Sequence, residues 1–197
     1  MNINCKGNLI DFDIPKVMGI LNMTPDSFYD GSRNSSLDSL LAKAEVMLKE
    51  GATFLDIGGY STRPGADEIS LETELERVVP AVELLLKEFP DAIISVDTFR
   101  SRVAEEGILA GAAIINDISA GELDDQMMET AARLQVPYIM MHMRGNPKTM
   151  KDLNDYKDVT GDVLFYFSEK IKKARALGTN DLIIDPGFGF SKNVKQN

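Results

Sequence analysis

Five polar side chains, Asn22, Asp97, Asn116, His142 and Asp185, each stand where a short apolar run ends. The runs are residues 17–21, 92–96, 112–115, 137–141 and 181–184, and a sixth, 53–57, ends on Gly58-Gly59. Asp97, Asn116 and Asp185 suit a flat heterocycle with several N–H donors and ring acceptors, because a carboxylate accepts paired hydrogen bonds while a carboxamide both donates and accepts. Taken singly, each is as readily a cap or a strand-end hydrogen bond. Their recurrence in the same place argues for a site. Asn22 offers a neutral oxygen of the kind taken by Mg²⁺ that keeps most of its waters and shares a phosphorylated substrate, or else it caps a turn. Thr62-Arg63-Pro64-Gly65 combines a hydroxyl, free N–H groups and a guanidinium, a set suited to an anion. His142 is the only histidine and has no second His or Cys for a metal, so a structural role is expected.

The elements that must hold these residues follow from the runs themselves. Apolar segments of four or five residues, stopped by a polar or glycine-rich break, read as parallel strands buried on both faces. Ligands sit at the carboxyl ends of such strands. Between them lie amphipathic helices: 37–49, capped by Ser35 or Ser36 and stopped by Gly51; a long one from Leu71 to Phe89, expected to bend at Pro80; 101–110; 124–134; and a fifth marked by Val163, Phe167, Ile171 and Ala174. Residues 143–158 form a polar excursion longer than most strand-to-helix loops. Residues 1–16 read as a β-hairpin cap with Lys6-Gly7-Asn8 at its turn. Strict alternation of strand and helix predicts a parallel sheet with right-handed crossovers.

Whether that sheet is open or closed turns on two observations. An open doubly wound sheet is expected to carry Gly-x-Gly-x-x-Gly after its first strand, and none is present. In a barrel the ends of all strands converge on one mouth, which fits polar residues contributed by separate units. The reading is therefore an α/β TIM (β/α)₈-type barrel, incomplete. Six βα units occupy residues 17–197 of a single partial domain, against the eight units and roughly 250 residues usual for the fold.

Composition narrows the function classes. Among 197 residues, 21 Lys and Arg face 31 Asp and Glu, a formal net charge of −10. That opposes a nucleic-acid or anionic-membrane surface. Cys5 is the sole cysteine, so an intrachain disulfide is impossible. With no export signal and no apolar stretch of about 18 residues, a cytoplasmic location is expected.

Six stretches, LNMTPDSFYDG, DIGGYSTRPGA, SVDTF, GAAIINDISAG, MHMRGNPKTM and DLIIDPGFGF, in this order and spacing resemble dihydropteroate synthase of the bacterial folate pathway. The resemblance spans nearly the whole chain and is most specific in the first two. It implies a TIM barrel joining a dihydropterin pyrophosphate to p-aminobenzoate with release of pyrophosphate, and competition by sulfonamides at the p-aminobenzoate site. Carried over by position, Asn22 helps hold Mg²⁺ on the pyrophosphate, and Asp97, Asn116 and Asp185 bind the pterin edge with Met141 lining the pocket. Thr62, Arg63 and Pro64, with Phe28 and Phe190, shape the p-aminobenzoate and pyrophosphate end. Asn22, Arg63 and Asp97 are the residues expected to take part in catalysis.

Two departures qualify the resemblance. Tyr60 stands where many members have an acidic residue, and the family's later Gly-x-Ser-Arg-Lys and Arg-x-His segments do not occur. The expectation is a truncated chain, inactive by itself, whose parent is a homodimer and whose open edges self-associate. A non-catalytic pterin-binding module is the alternative. A pterin-binding methyltransferase domain is disfavoured, because it is not expected to carry both LNMTPDSF and STRPGA.

Overall fold

The computed structural model describes residues 1–23, 33–61 and 68–197. A two-stranded antiparallel hairpin, β1 (Asn2–Cys5) and β2 (Asn8–Asp11), turns at Lys6-Gly7, both with positive φ (53° and 90°). Six parallel strands follow: β3 (Val17–Asn22), β4 (Ala52–Gly58), β5 (Ile93–Asp97), β6 (Ile114–Asp117), β7 (Tyr138–Met141) and β8 (Leu182–Asp185). Their spatial order is their sequence order. Between them run α1 (Arg33–Lys49), α2 (Leu71–Glu88), α3 (Ser101–Leu109), α4 (Met127–Leu134) and α5 (Val159–Ala176).

Because side chains alternate along a strand, each strand feeds two layers. Leu21, Leu55, Ile57, Ile94 and Val96 face the helices, where they meet Leu40, Val78, Val82, Leu85 and Val103 in one fully buried cluster. Ile115, Tyr138 and Met140 do the same for α4 and α5 with Met127, Met128 and Phe167. The opposite faces of the strands point inward. At the amino-terminal end of this interior, Phe54, Ile114 and Ile139 pack against Ile3 and Cys5 of the hairpin, with Met18, Ile93 and Ile183 around them. The hairpin is thus a plug, tied down by Asn4 N–H to Asp181 (2.7 Å) and Lys6 to the Gly111 carbonyl (2.8 Å).

Helix α1 starts at Arg33, four residues before the apolar periodicity begins at Leu37, because polar residues 33–36 give no periodic signal. Pro80 lies inside α2, which runs unbroken from Leu71 to Glu88. Asp124, expected inside α4, precedes it and accepts from Gln126 N–H and Ser101 N–H. The sheet does not close: among the described residues β3 pairs only with β4 and β8 only with β7. Ile20 on β3 is 62% exposed and Ile184 on β8 48% exposed.

Candidate functional site

The ladder register places four residues side by side across four strands: Asn22 opposite Gly58, Gly58 opposite Asp97, and Asp97 opposite Asn116. All lie at the carboxyl ends of their strands on the inward face. Gly58 leaves room between its neighbours. A Cβ there would stand 3.2 Å from both Asn22 Oδ1 and Asp97 Oδ2, so the missing side chain is the gap across which the carboxamide and the carboxylate face each other. Further round, Met141 pairs with Asp185. Since Asn116 pairs with Ile139, these two sit one inward layer beyond Asn116, as the stagger of a barrel requires. The Asp185 carboxylate accepts from Gly187 N–H at 2.8 Å.

The interior changes character over two residues. Below the row, Asp56 of β4 is 4% exposed and accepts a 3.0 Å hydrogen bond from Asn116 Nδ2. Burial pushes its pKa up to about 6, opposed by the nearby Ser95 hydroxyl and the Asn116 carboxamide. That hydroxyl is close enough to oppose the shift but not in hydrogen-bonding geometry, and Asp56 Oδ1 and Ser95 Oγ have no hydrogen-bond partner among the described residues. Asp97 is held well above the usual carboxylate range by burial, then by the charges of Asp56, Asp117 and Glu74. Among the described residues, no side chain hydrogen-bonds to Asn22 or Asp97. Both side chains are half-buried at the carboxyl ends of their strands, where a small molecule could reach them.

Two rigid supports flank the row. Behind Asp97, the fully buried Glu74 of α2 accepts from Thr98 Oγ1 and Arg100 Nη1, both at 2.6 Å. Arg100 also donates to the carbonyls of Ile69 and Ser70 and lies over the rings of Tyr60 and Phe99. On the far side, Lys192 is buried with its Nζ 2.8 Å from His142 Nδ1 and donating to the carbonyls of Gly187 and Phe190. Gly187 permits this approach, since a Cβ there would collide with the His142 carbonyl. Burial and the Lys192 charge hold His142 down to about 4, so it is a neutral acceptor for the lysine at neutral pH. Met141, Ile118, Met143 and Met150, with Phe99 and Phe190, add an apolar wall beside the polar row. Flat apolar walls with a few convergent polar groups are how small ring systems are bound.

Of the residues read from sequence, the structure brings Asn22, Asp97, Asn116, Met141, Asp185 and Phe190 to one mouth. Phe28, Thr62, Arg63 and Pro64 lie outside the described residues. His142 is structural: buried, paired with Lys192 and edge-on to the Tyr166 ring. Asp56 and Lys192 were missed. Asp56 sits inside an apolar run, and the signal available was a lone acid two residues before Gly58, hence on the same strand face.

The sequence model described as "Pterin binding enzyme" matches residues 18–197. The chain is 48% identical to the folic acid synthesis protein fol1 of Pneumocystis carinii, covering 92% of this chain and 25% of that protein. It is 46% identical to the dihydropteroate synthase of Synechocystis (92% and 63%) and 45% identical to that of Escherichia coli (100% and 70%). The chain thus spans less than two thirds of the first two relatives. Among solved structures, a Yersinia pestis dihydropteroate synthase with a sulfonamide drug complex superposes with a TM-score of 0.90 at 45% identity, covering all of this chain and 71% of the other. A Xanthomonas albilineans dihydropteroate synthase in complex with 7,8-dihydropteroate gives 0.86 at 36% identity, again over the whole chain and 70% of its counterpart. With an incomplete parallel barrel, inward carboxylates at its mouth and these likenesses, the chain belongs to the pterin-binding enzyme family and, within it, to the dihydropteroate synthase family.

Proposed function

We propose that the protein carrying this chain condenses 6-hydroxymethyl-7,8-dihydropterin pyrophosphate with p-aminobenzoate, giving 7,8-dihydropteroate and pyrophosphate. The observation that carries the reading is the row Asn22, Asp97 and Asn116 with Asp185 one layer beyond it, hydrogen-bonding groups gathered on the inward face beside an apolar wall. The carboxylates and the carboxamide match the N–H-rich edge of a pterin, and Met141 lies against its face.

The C–O bond between the pterin methylene and pyrophosphate breaks, leaving a cation delocalised into the electron-rich ring. The neutral amine of p-aminobenzoate then forms the C–N bond and gives up a proton to water. No protein nucleophile is needed. This chain's residues act by orientation and charge: Asp97 beside the ring favours the developing cation, while Thr62, Arg63 and Pro64, with Phe28 and Phe190, receive the p-aminobenzoate and pyrophosphate end.

Mg²⁺ is part of the proposal. Among the described residues no group of three His, Cys, Asp or Glu could cage a metal ion. Asn22 Oδ1, facing Asp97 across Gly58 at the strand ends, fits an ion taking one protein oxygen and completing its shell with water and substrate phosphate. Such an ion supplies charge neutralisation on the leaving pyrophosphate. No helix among the described residues is long and apolar enough to cross a membrane. We place the protein in the cytoplasm as a homodimer, acting on small molecules without nucleic-acid or membrane partners.

The test is pyrophosphate release by the intact protein on mixing both substrates, with Asp185→Asn in parallel. Activity is expected, and the variant should bind a pterin about 1 to 3 kcal/mol more weakly. Absence of turnover, or unchanged pterin affinity in the variant, would remove the assignment. The 197-residue chain expressed alone is expected to be inactive.

A further inference from the structure

We propose that Asp56, buried one layer below the polar row, is a positioning residue that fixes which end of the Asn116 carboxamide faces the ligand, and so makes the site prefer a reduced pterin over its oxidised form. The inference rests on the pterin reading above.

The geometry leaves the carboxamide one choice. Asn116 Nδ2 donates to Asp56 Oδ2 at 3.0 Å. Turning the amide over would set Asn116 Oδ1 against the same carboxylate oxygen, two acceptors at contact distance in a region where Asp56 is 4% exposed. An ionised carboxylate can only accept, so it fixes the amide with its nitrogen down and its oxygen turned away. Asp56 lies two residues before Gly58 on β4, and Gly58, Asp97 and Asn116 share one register row, so the side away from Asp56 is the mouth. The oxygen, set away from Asp56, is the acceptor that Asn116 offers there, beside its second Nδ2 proton.

An acceptor distinguishes the two oxidation states of the ring. A 7,8-dihydropterin carries an N–H at position 8, whereas in the oxidised ring that nitrogen is itself an acceptor. Asp97 brings a further acceptor oxygen to the same row, so the ring with the extra donor is satisfied best there. A side chain at 56 that can both donate and accept would let Asn116 turn over and present its N–H instead.

The experiment is calorimetric binding of 6-hydroxymethyl-7,8-dihydropterin and 6-hydroxymethylpterin to the intact protein at pH 8, comparing the unmodified protein with Asp56→Asn. At that pH Asp56, with its pKa near 6, is ionised. The unmodified protein should favour the dihydro form, and the variant should lose at least threefold of that preference. If Asp56→Asn fails to fold by circular dichroism, Asp56→Ser, also a donor and acceptor without charge, carries the same comparison. A general loosening of the core would lower both affinities alike. An unchanged ratio in the variant, or no preference in the unmodified protein, would overturn the role assigned to Asp56. Failure of the unmodified protein to bind either ring would instead overturn the pterin reading itself.

Discussion

The buried acids on the helix side of the sheet and those inside the barrel are treated in opposite ways. On the helix side, Asp117 accepts four hydrogen bonds, from the backbone N–H groups of Ser119 and Gly121 and the hydroxyls of Ser119 and Tyr138. Glu74 is capped by Thr98 and Arg100. On the inner side, Asp56 keeps one oxygen without a partner and Asp97 receives no side-chain hydrogen bond among the described residues. Burial raises the pKa of all four. What separates them is whether the fold or a ligand is left to satisfy them. Acids bound into the fold hold loops in place, and of the acids left open by it Asp97 is the one we propose to meet a ligand.

If the contrast is right, breaking an outer acid should cost stability and changing an inner one should not. The largest effect is expected at Arg100→Met, which strands the Glu74 carboxylate in a fully buried position with Thr98 alone. Removing one partner of a buried pair costs about 3 to 5 kcal/mol. Denaturant unfolding of the protein measures it, and Glu74→Gln on the same background should recover part of the loss. A cost below about 1 kcal/mol, with no recovery, would show that Glu74 is not held by this pair.

The same contrast explains what could be read from sequence. Asn22, Asp97, Asn116 and Asp185 were legible because each breaks an apolar run at its carboxyl end, where alternation and strand polarity assign a place without coordinates. The fold was legible for a related reason: six runs, each followed by an amphipathic segment, admit few topologies. Asn116-Asp117 shows the limit. The pair is one polar break in sequence, yet alternation sends Asn116 inward and Asp117 to the helices, and only the hydrogen bonds reveal that the second is scaffold. Asp56 and Lys192 escaped because their meaning lies in partners 60 and 50 residues away. The amino-terminal turn of α1 was also invisible, since polar residues carry no periodicity.

A smaller loss is expected for Asp117→Asn. The amide nitrogen would replace one acceptor oxygen and face either the Ser119 donors or the Gly121 and Tyr138 donors. Leaving such buried donors unpaired costs about 1 to 3 kcal/mol. The loosening should be local to the turn after β6, visible as faster amide exchange at Ser119 and Gly121. Unchanged exchange there would mean that the turn is held by its own backbone.

The smallest change in stability is expected for Asp97→Asn, and its sign is the sharper test. No side-chain hydrogen bond among the described residues is lost, and the neutral amide removes repulsion with Asp56, Asp117 and Glu74. Stability at pH 8 should stay the same or rise by up to about 1 kcal/mol, while pterin affinity falls by a comparable or larger amount. The pH dependence follows from the raised pKa. A carboxyl that holds its proton more tightly folded than unfolded penalises the folded state above its folded pKa. The penalty is relieved as pH falls toward the unfolded value, about 3.9 for Asp. The advantage of the variant should therefore shrink on acidification. His142, held down to about 4, destabilises the fold as pH drops below its ordinary value, but it does so in both proteins and cancels in the difference. Thermal melts of the two proteins from pH 8 to pH 4 give that difference directly. A variant markedly less stable at pH 8, or one whose advantage grows as pH falls, would place Asp97 with the scaffold acids and dissolve the distinction between the two faces of the sheet.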